Sequence, residues 1–226
     1  MKLLFPYFFV LLCLYVFRLT AQENPPPAPI TPGMYLDKQD ELKKEFGKNK
    51  IIPKEIELQA LVALSHFPQL KNTHIEFIYV CNKSTMSARP SAGFVFRKKT
   101  QRKYFVFINN VKKEHNGVLF RYSSFNAQVG CIGHELAHIA DYIRKNSFQI
   151  LTVGARYQLS VKFRSRYEKE TDIRTIEHEL GWQLYDFVDY VFNKSDASGK
   201  YLAYKKKVYF SPDEISSEIM KFNQAK

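Results

Sequence analysis

No stretch of this chain limits its fold more than residues 133–142, which carry His134, Glu135, His138 and Asp141. They spell H-E-x-x-H inside a segment whose apolar residues recur at helical spacing. Val129, Ile132, Leu136, Ile139 and Ile143 form its buried stripe. On a helix, residues four apart lie on one face, so His134 and His138 can offer two imidazole nitrogens to one metal ion. Glu135 is turned about 100° around the axis, which sets its carboxylate beside the ion's open position. Such a helix has two requirements: neighbours that cover its stripe, and a third ligand from elsewhere in the chain.

The 226 residues, 45% hydrophobic and 15% aromatic, suffice for one domain with a sizeable core. Residues 1–21 read as a secretory signal peptide. Lys2 opens them, an apolar run covers 3–17, and Leu19, Thr20 and Ala21 suit cleavage before Gln22. The run falls short of the roughly 20 residues of a membrane span; an uncleaved N-terminal anchor is the alternative. Residues 22–34 are a proline-rich, stiff linker, and 35–226 form a single domain. Cys13 lies in the signal. Cys81 and Cys131 remain, either paired in an oxidising compartment or buried as two thiols. The formal charge is +12; losing Lys2 and Arg18 with the signal leaves +10. That balance favours contact with an anionic membrane or cell-wall surface. No nucleic-acid-binding signature accompanies it.

The elements follow from periodicity and punctuation. Helices are predicted at 37–46 and 53–67, the second opened by Pro53 and closed by Pro68. Segments 73–81, 94–97 and 103–108 read as strands, with 118–122 as a further one, giving a small antiparallel or mixed sheet. Ser87, Ala88, Arg89 and Pro90 lie between the first two strands. Arg89 could bind a substrate carboxylate, or simply be solvated. Ser123 or Ser124 caps the H-E-x-x-H helix, which runs over 125–144. Gly130 and Gly133 each cost about 1 kcal/mol of helix propensity, and Gly133 allows another element to pack close. Helices follow at 148–159 and, as one long pattern, at 161–192. Pro212 and Ser211 mark the start of the last one.

The third ligand must be His, Asp or Glu. Glu168 and Asp172 are four apart on the long helix and share a face; Glu170, two residues from Glu168, is the rival. At this point the chain resembles the gluzincin metallopeptidases, the thermolysin-like and CAAX-prenyl-protease types, which pair H-E-x-x-H with E-x-x-x-D on a later helix. The matched residues are His134, Glu135, His138, Glu168 and Asp172, over roughly 125–192. The metzincin pattern is excluded, because Arg144 stands where its third histidine belongs.

The resemblance implies a zincin-like α+β fold: a small sheet, the H-E-x-x-H helix, then a long second ligand-bearing helix. It implies one Zn2+ per chain on His134, His138 and Glu168. Asp172 would orient a histidine, and Glu135 would act as general base in peptide-bond hydrolysis. Asp141 shares the histidine face and is a candidate acceptor for an imidazole N–H, or a surface aspartate. His178 is a candidate transition-state donor or a packed histidine; Tyr157, Tyr167 and Tyr185 are further donor candidates. An extended peptide would add to the edge of the sheet, along one of the strands at 94–108. The expected protein is an exported metallopeptidase with a peptide or protein substrate. The alternatives are a non-catalytic binding protein on the same scaffold and a zinc amide hydrolase acting on a cell-wall component.

Overall fold

The computed structural model describes residues 27–81, 84–110 and 118–226. The predicted signal segment 1–21 lies outside them. The chain is a mixed α+β structure, mostly helical, with one four-stranded sheet. In chain order the main elements are α1 (Gln39–Phe46), β1 (Lys50–Ile51), α2 (Glu57–Ser65), β2 (His74–Val80), β3 (Met86–Pro90) and β4 (Lys103–Asn109). After these come α3 (Phe125–Arg144), α4 (Ser147–Leu159), α5 (Val161–Glu177) and α6 (Gly181–Asp189), which continues as a π turn over Tyr190–Lys194. The chain ends with α7 (Gly199–Val208) and α8 (Pro212–Gln224).

The sheet order is β1-β2-β4-β3. The first three strands are parallel, Ile75 pairing with Tyr104 and Phe77 with Val106, and only β3 runs antiparallel, Ala88 facing Val106. The sheet is therefore mixed. Its edge strands are β1 and β3, so no part of 94–108 is an edge. Residues 94–96 form a 3₁₀ turn after Gly93, whose φ of +78° suits glycine. Residues 120–122 form another such turn. The β3 segment escaped the strand reading because it lacks an aromatic or β-branched run. It ends on Pro90, which an edge strand tolerates because its outer N–H groups need no partner.

Alternation along β2 and β4 turns Ile75, Phe77, Tyr104, Val106 and Ile108 to one face, where all are buried. That face meets α2 and α3. Leu61, Leu64, Ile132, Leu136 and Ile139 are wholly buried between the layers. A smaller cluster joins α6 and α8 through Leu184, Val188, Ile215 and Ile219. Caps explain where the helices start. Ser124 Oγ accepts the Ala127 N–H at 3.1 Å to open α3, and Asn146 with Gln149, and Ser211 with Glu214, make full capping boxes.

The predicted long helix over 161–192 is two helices. The α5 helix ends in a Schellman arrangement: the Leu180 N–H donates to Thr175 O and the Glu179 N–H to Ile176 O. Glu179 takes the left-handed position at φ 63°, usually a glycine's, so the break carried no sequence mark. The break lets α6 turn back across α3. A Cβ on Gly130 would lie 2.1 Å from the Gln183 carbonyl, and one on Gly133 2.6 Å from Leu180 Cδ1; both glycines are there for close approach.

The linker also does more than separate. Ile30 packs against the core, and its N–H donates to Asn126 Oδ1 at 3.1 Å, while Asn126 Nδ2 donates to Asp186 Oδ2 at 2.8 Å. Cys131 is buried in α3 and Cys81 lies exposed just past β2, so the bridge between them is not made. No helix among the described residues is long and apolar enough to cross a membrane.

Candidate metal centre

Helices α3 and α5 pack side by side and turn their polar stripes toward each other. His134 and His138 come from α3 and Glu168 from α5. All three are buried or nearly so, and their ligating atoms lie within 4.8 Å of one another. Glu168 Oε2 is 3.1 Å from His134 Nε2 and 3.3 Å from His138 Nε2. The other ring nitrogens are taken. His134 Nδ1 donates to Asp172 Oδ1 at 2.8 Å, and His138 Nδ1 to Thr171 Oγ1 at 3.3 Å, whose hydroxyl passes on to Tyr167 O at 2.8 Å. Both imidazoles are thus fixed with Nε2 facing Glu168. Such outer partners set tautomer and ring orientation in metal sites.

The electrostatics favour a cation at this point. Burial disfavours charge on the His134 ring, but hydrogen bonds to Asp172 and Glu168 outweigh it and hold its pKa up to about 10. Burial likewise opposes the Glu168 charge, and the two histidines override it, keeping that carboxyl well below its usual range. Two imidazoles and one carboxylate, with donors fixed from behind, fit a metal ion.

Glu135 lies one residue from the first ligand and faces the same cavity, of about 1270 Å³. It is 6% exposed, and its Oε2 has no partner. Burial pushes its pKa up, opposed by the two histidines and the backbone of Ala88 on β3. The edge strand therefore lies against the carboxylate.

The remaining candidates separate clearly. Glu170 is half exposed and pairs with Arg166 at 3.5 Å, so only Glu168 reaches the histidines. Asp141 is buried, yet it bonds Lys145 and accepts from Tyr167 Oη at 2.9 Å rather than from an imidazole. Tyr167 in turn lies along the His138 ring, centroids 5.4 Å apart. His178 is away from the cavity. It exchanges hydrogen bonds with His66, each ring's Nδ1 donating to the other's carbonyl, at 2.8 and 3.0 Å. Tyr185 packs against Trp182. Tyr157 is the tyrosine that reaches the centre, its hydroxyl donating to Glu168 Oε1. Arg89 lines the cavity with its guanidinium 4.4 Å from the Phe107 ring.

Sequence reasoning missed three residues. Thr171 holds His138 from a position between Glu168 and Asp172. Tyr209 lies 6.2 Å from the His134 ring, and the Lys205 ammonium is 3.6 Å from the Tyr209 ring. For Thr171 the signal was present: it sits three residues after Glu168, on the ligand face of α5. For the other two no sequence pattern pointed inward.

No family model matches the chain, and no curated protein or solved structure does either. The candidate metal centre and the mixed α+β fold therefore stand on this structure's own geometry.

Proposed function

We propose that the protein is an exported zinc-dependent metallopeptidase. The supporting observation is the meeting of His134 Nε2, His138 Nε2 and Glu168 Oε2 at one point, with the Glu135 carboxylate, whose Oε2 has no partner, on the same cavity wall. Zinc held there would supply Lewis acidity toward a water and a carbonyl oxygen.

The chain's own residues would do the rest. Glu135 takes a proton from the attacking water and later delivers it to the leaving amine. Burial suits this two-way role, since it raises the carboxyl's proton affinity toward the working pH. Tyr157, whose hydroxyl donates to Glu168, would serve as the oxyanion donor by exchanging that bond for one to the substrate, a role for which His178, tied to His66, is too remote. Strand β3 has one edge unpaired in the sheet, beside Glu135, so an extended peptide can add to it and lay its backbone across the centre. The substrate class we propose is a peptide or protein.

Metal analysis of the purified protein beside Glu168→Ala, Glu170→Ala and Glu135→Gln tests the reading. One zinc per chain is expected in the parent, in Glu170→Ala and in Glu135→Gln, with none in Glu168→Ala. Glu135→Gln should retain the metal and lose peptide hydrolysis. Hydrolysis undiminished in that variant would overturn the mechanism.

A further inference from the structure

Charge is segregated along this sequence in a way the metal centre does not use. Residues 84–110 carry six lysines and arginines and no aspartate or glutamate, and residues 142–167 again carry six and none. The fold brings the two stretches together. Lys99 Nζ donates to the Arg144 carbonyl at 2.9 Å. Arg102 donates to the Lys145 carbonyl at 2.8 Å and to Ser147 Oγ at 2.9 Å. The Phe94–Phe96 turn thereby rests on α4.

The joined segments expose large apolar side chains. Phe96 is 92% exposed, Phe148 77% and Leu151 53%, and α4 buries only Ile150. In the same segments Arg97, Lys98 and Arg144 are exposed, with no carboxylate partner among the described residues. Exposed aromatic side chains interleaved with basic residues of one sign are the pattern of a surface that docks on something both anionic and soft.

We infer that this face, the Phe94–Phe96 turn with the outer side of α4, seats the protein on an anionic lipid bilayer. A bilayer interface admits protruding aromatic rings at headgroup depth while its anionic headgroups meet the flanking cations. A polysaccharide could stack a sugar on one exposed ring, but it offers no apolar layer to take Phe96, Phe148 and the aliphatic Leu151 together. The face also borders the mouth of the metal cavity, since Phe94 and Leu151 line both. Docking would therefore present the cavity to chains lying at the membrane surface. The inference stands apart from the proposed hydrolysis, because its readout is lipid contact alone.

The test places an indole on the face. The sequence has one tryptophan, Trp182, so full-length Trp182→Phe/Phe148→Trp carries a single probe at position 148. The same probe can be followed by difference spectra with Trp182 retained, should the double variant fold poorly. Vesicles of phosphatidylglycerol with phosphatidylcholine should shift its emission to the blue, and bromine on the acyl chains should quench it. Phosphatidylcholine alone should do neither. Adding Arg97→Gln and Lys98→Gln should raise the lipid concentration for half-binding about thirtyfold, and Phe96→Ser in the Phe148→Trp background should raise it about tenfold or more. An indole that stays unshifted and unquenched with anionic vesicles overturns the proposal, even if the protein sediments with them. An equal response to neutral vesicles overturns it as well.

Discussion

Asp172 Oδ1 accepts from His134 Nδ1 at 2.8 Å, and this one bond decides which nitrogen of that ring faces Glu168. Thr171 does the same for His138 from the next position on α5. Two neighbouring residues on one helix thus orient both histidines of another. Asp172→Ala should weaken zinc binding about 10- to 100-fold, read by competition with a chromophoric chelator. Glu170→Ala, outside the cluster, should bind like the parent.

Tyr157 and His178 make opposite predictions, although both were donor candidates by sequence. The Tyr157 hydroxyl donates to Glu168, whereas His178 is tied to His66. Tyr157→Phe should keep its zinc and lower kcat about a hundredfold with KM little changed. His178→Gln should leave both constants as they are. Steady-state kinetics on a peptide substrate separates the two.

Gly130 and Gly154 both lie inside helices, yet alanine should act on them in opposite directions. A Cβ at 130 would press within 2.1 Å of the Gln183 backbone, while one at 154 meets nothing within 4 Å. Gly130→Ala should destabilise by about 3 kcal/mol or more, because backbone must move. Gly154→Ala should stabilise by about 0.5–1 kcal/mol through helix propensity. Urea denaturation of the metal-free protein gives both values.

The His66–His178 clamp predicts an acid-side loss of stability. Burial lowers both pKa values below 6.5, only partly offset by the hydrogen bonds each ring makes to the other's backbone. Above about pH 7 both rings are neutral, folded or unfolded, and cost nothing. As pH falls through about 6.5 the unfolded chain takes up protons that the folded one still refuses, so stability drops until the lowered folded values are passed. His134, with its raised pKa, acts in the opposite sense, so the clamp is read by difference: between about pH 7.5 and about pH 5.5 the parent's urea midpoint should fall relative to that of His66→Gln/His178→Gln.

The half of the site carried on α3 was legible because a metal needs its imidazoles one turn apart, and that spacing is a pattern in one dimension. Glu168 and Asp172 were legible for the same reason. The rest depends on where separate elements meet. Tyr209 comes from beyond α7, and a tyrosine in an aromatic, basic stretch gives no sign of facing His134. Asp141 had the right spacing for an imidazole partner but found Lys145 and Tyr167 closer. The parallel pairing of β2 with β4 was hidden because β3, a short polar segment ending in Pro90, lies between them in sequence and outside them in space. The end of α5 was hidden because glutamate occupies a left-handed position at 179.

Helices α3 and α5, which face each other across the candidate metal centre, are also near neighbours in time. His134 and Asp172 are only 38 positions apart, whereas the Ile30 to Asn126 contact spans 96. Loop-closure entropy grows with the length of chain enclosed, so the ligand-bearing pair can come together while the N-terminal strap is still free. A zinc ion captured at that stage would act as a clasp on a folding intermediate. In refolding, added zinc should therefore speed the acquisition of helix more than it speeds the docking of Ile30.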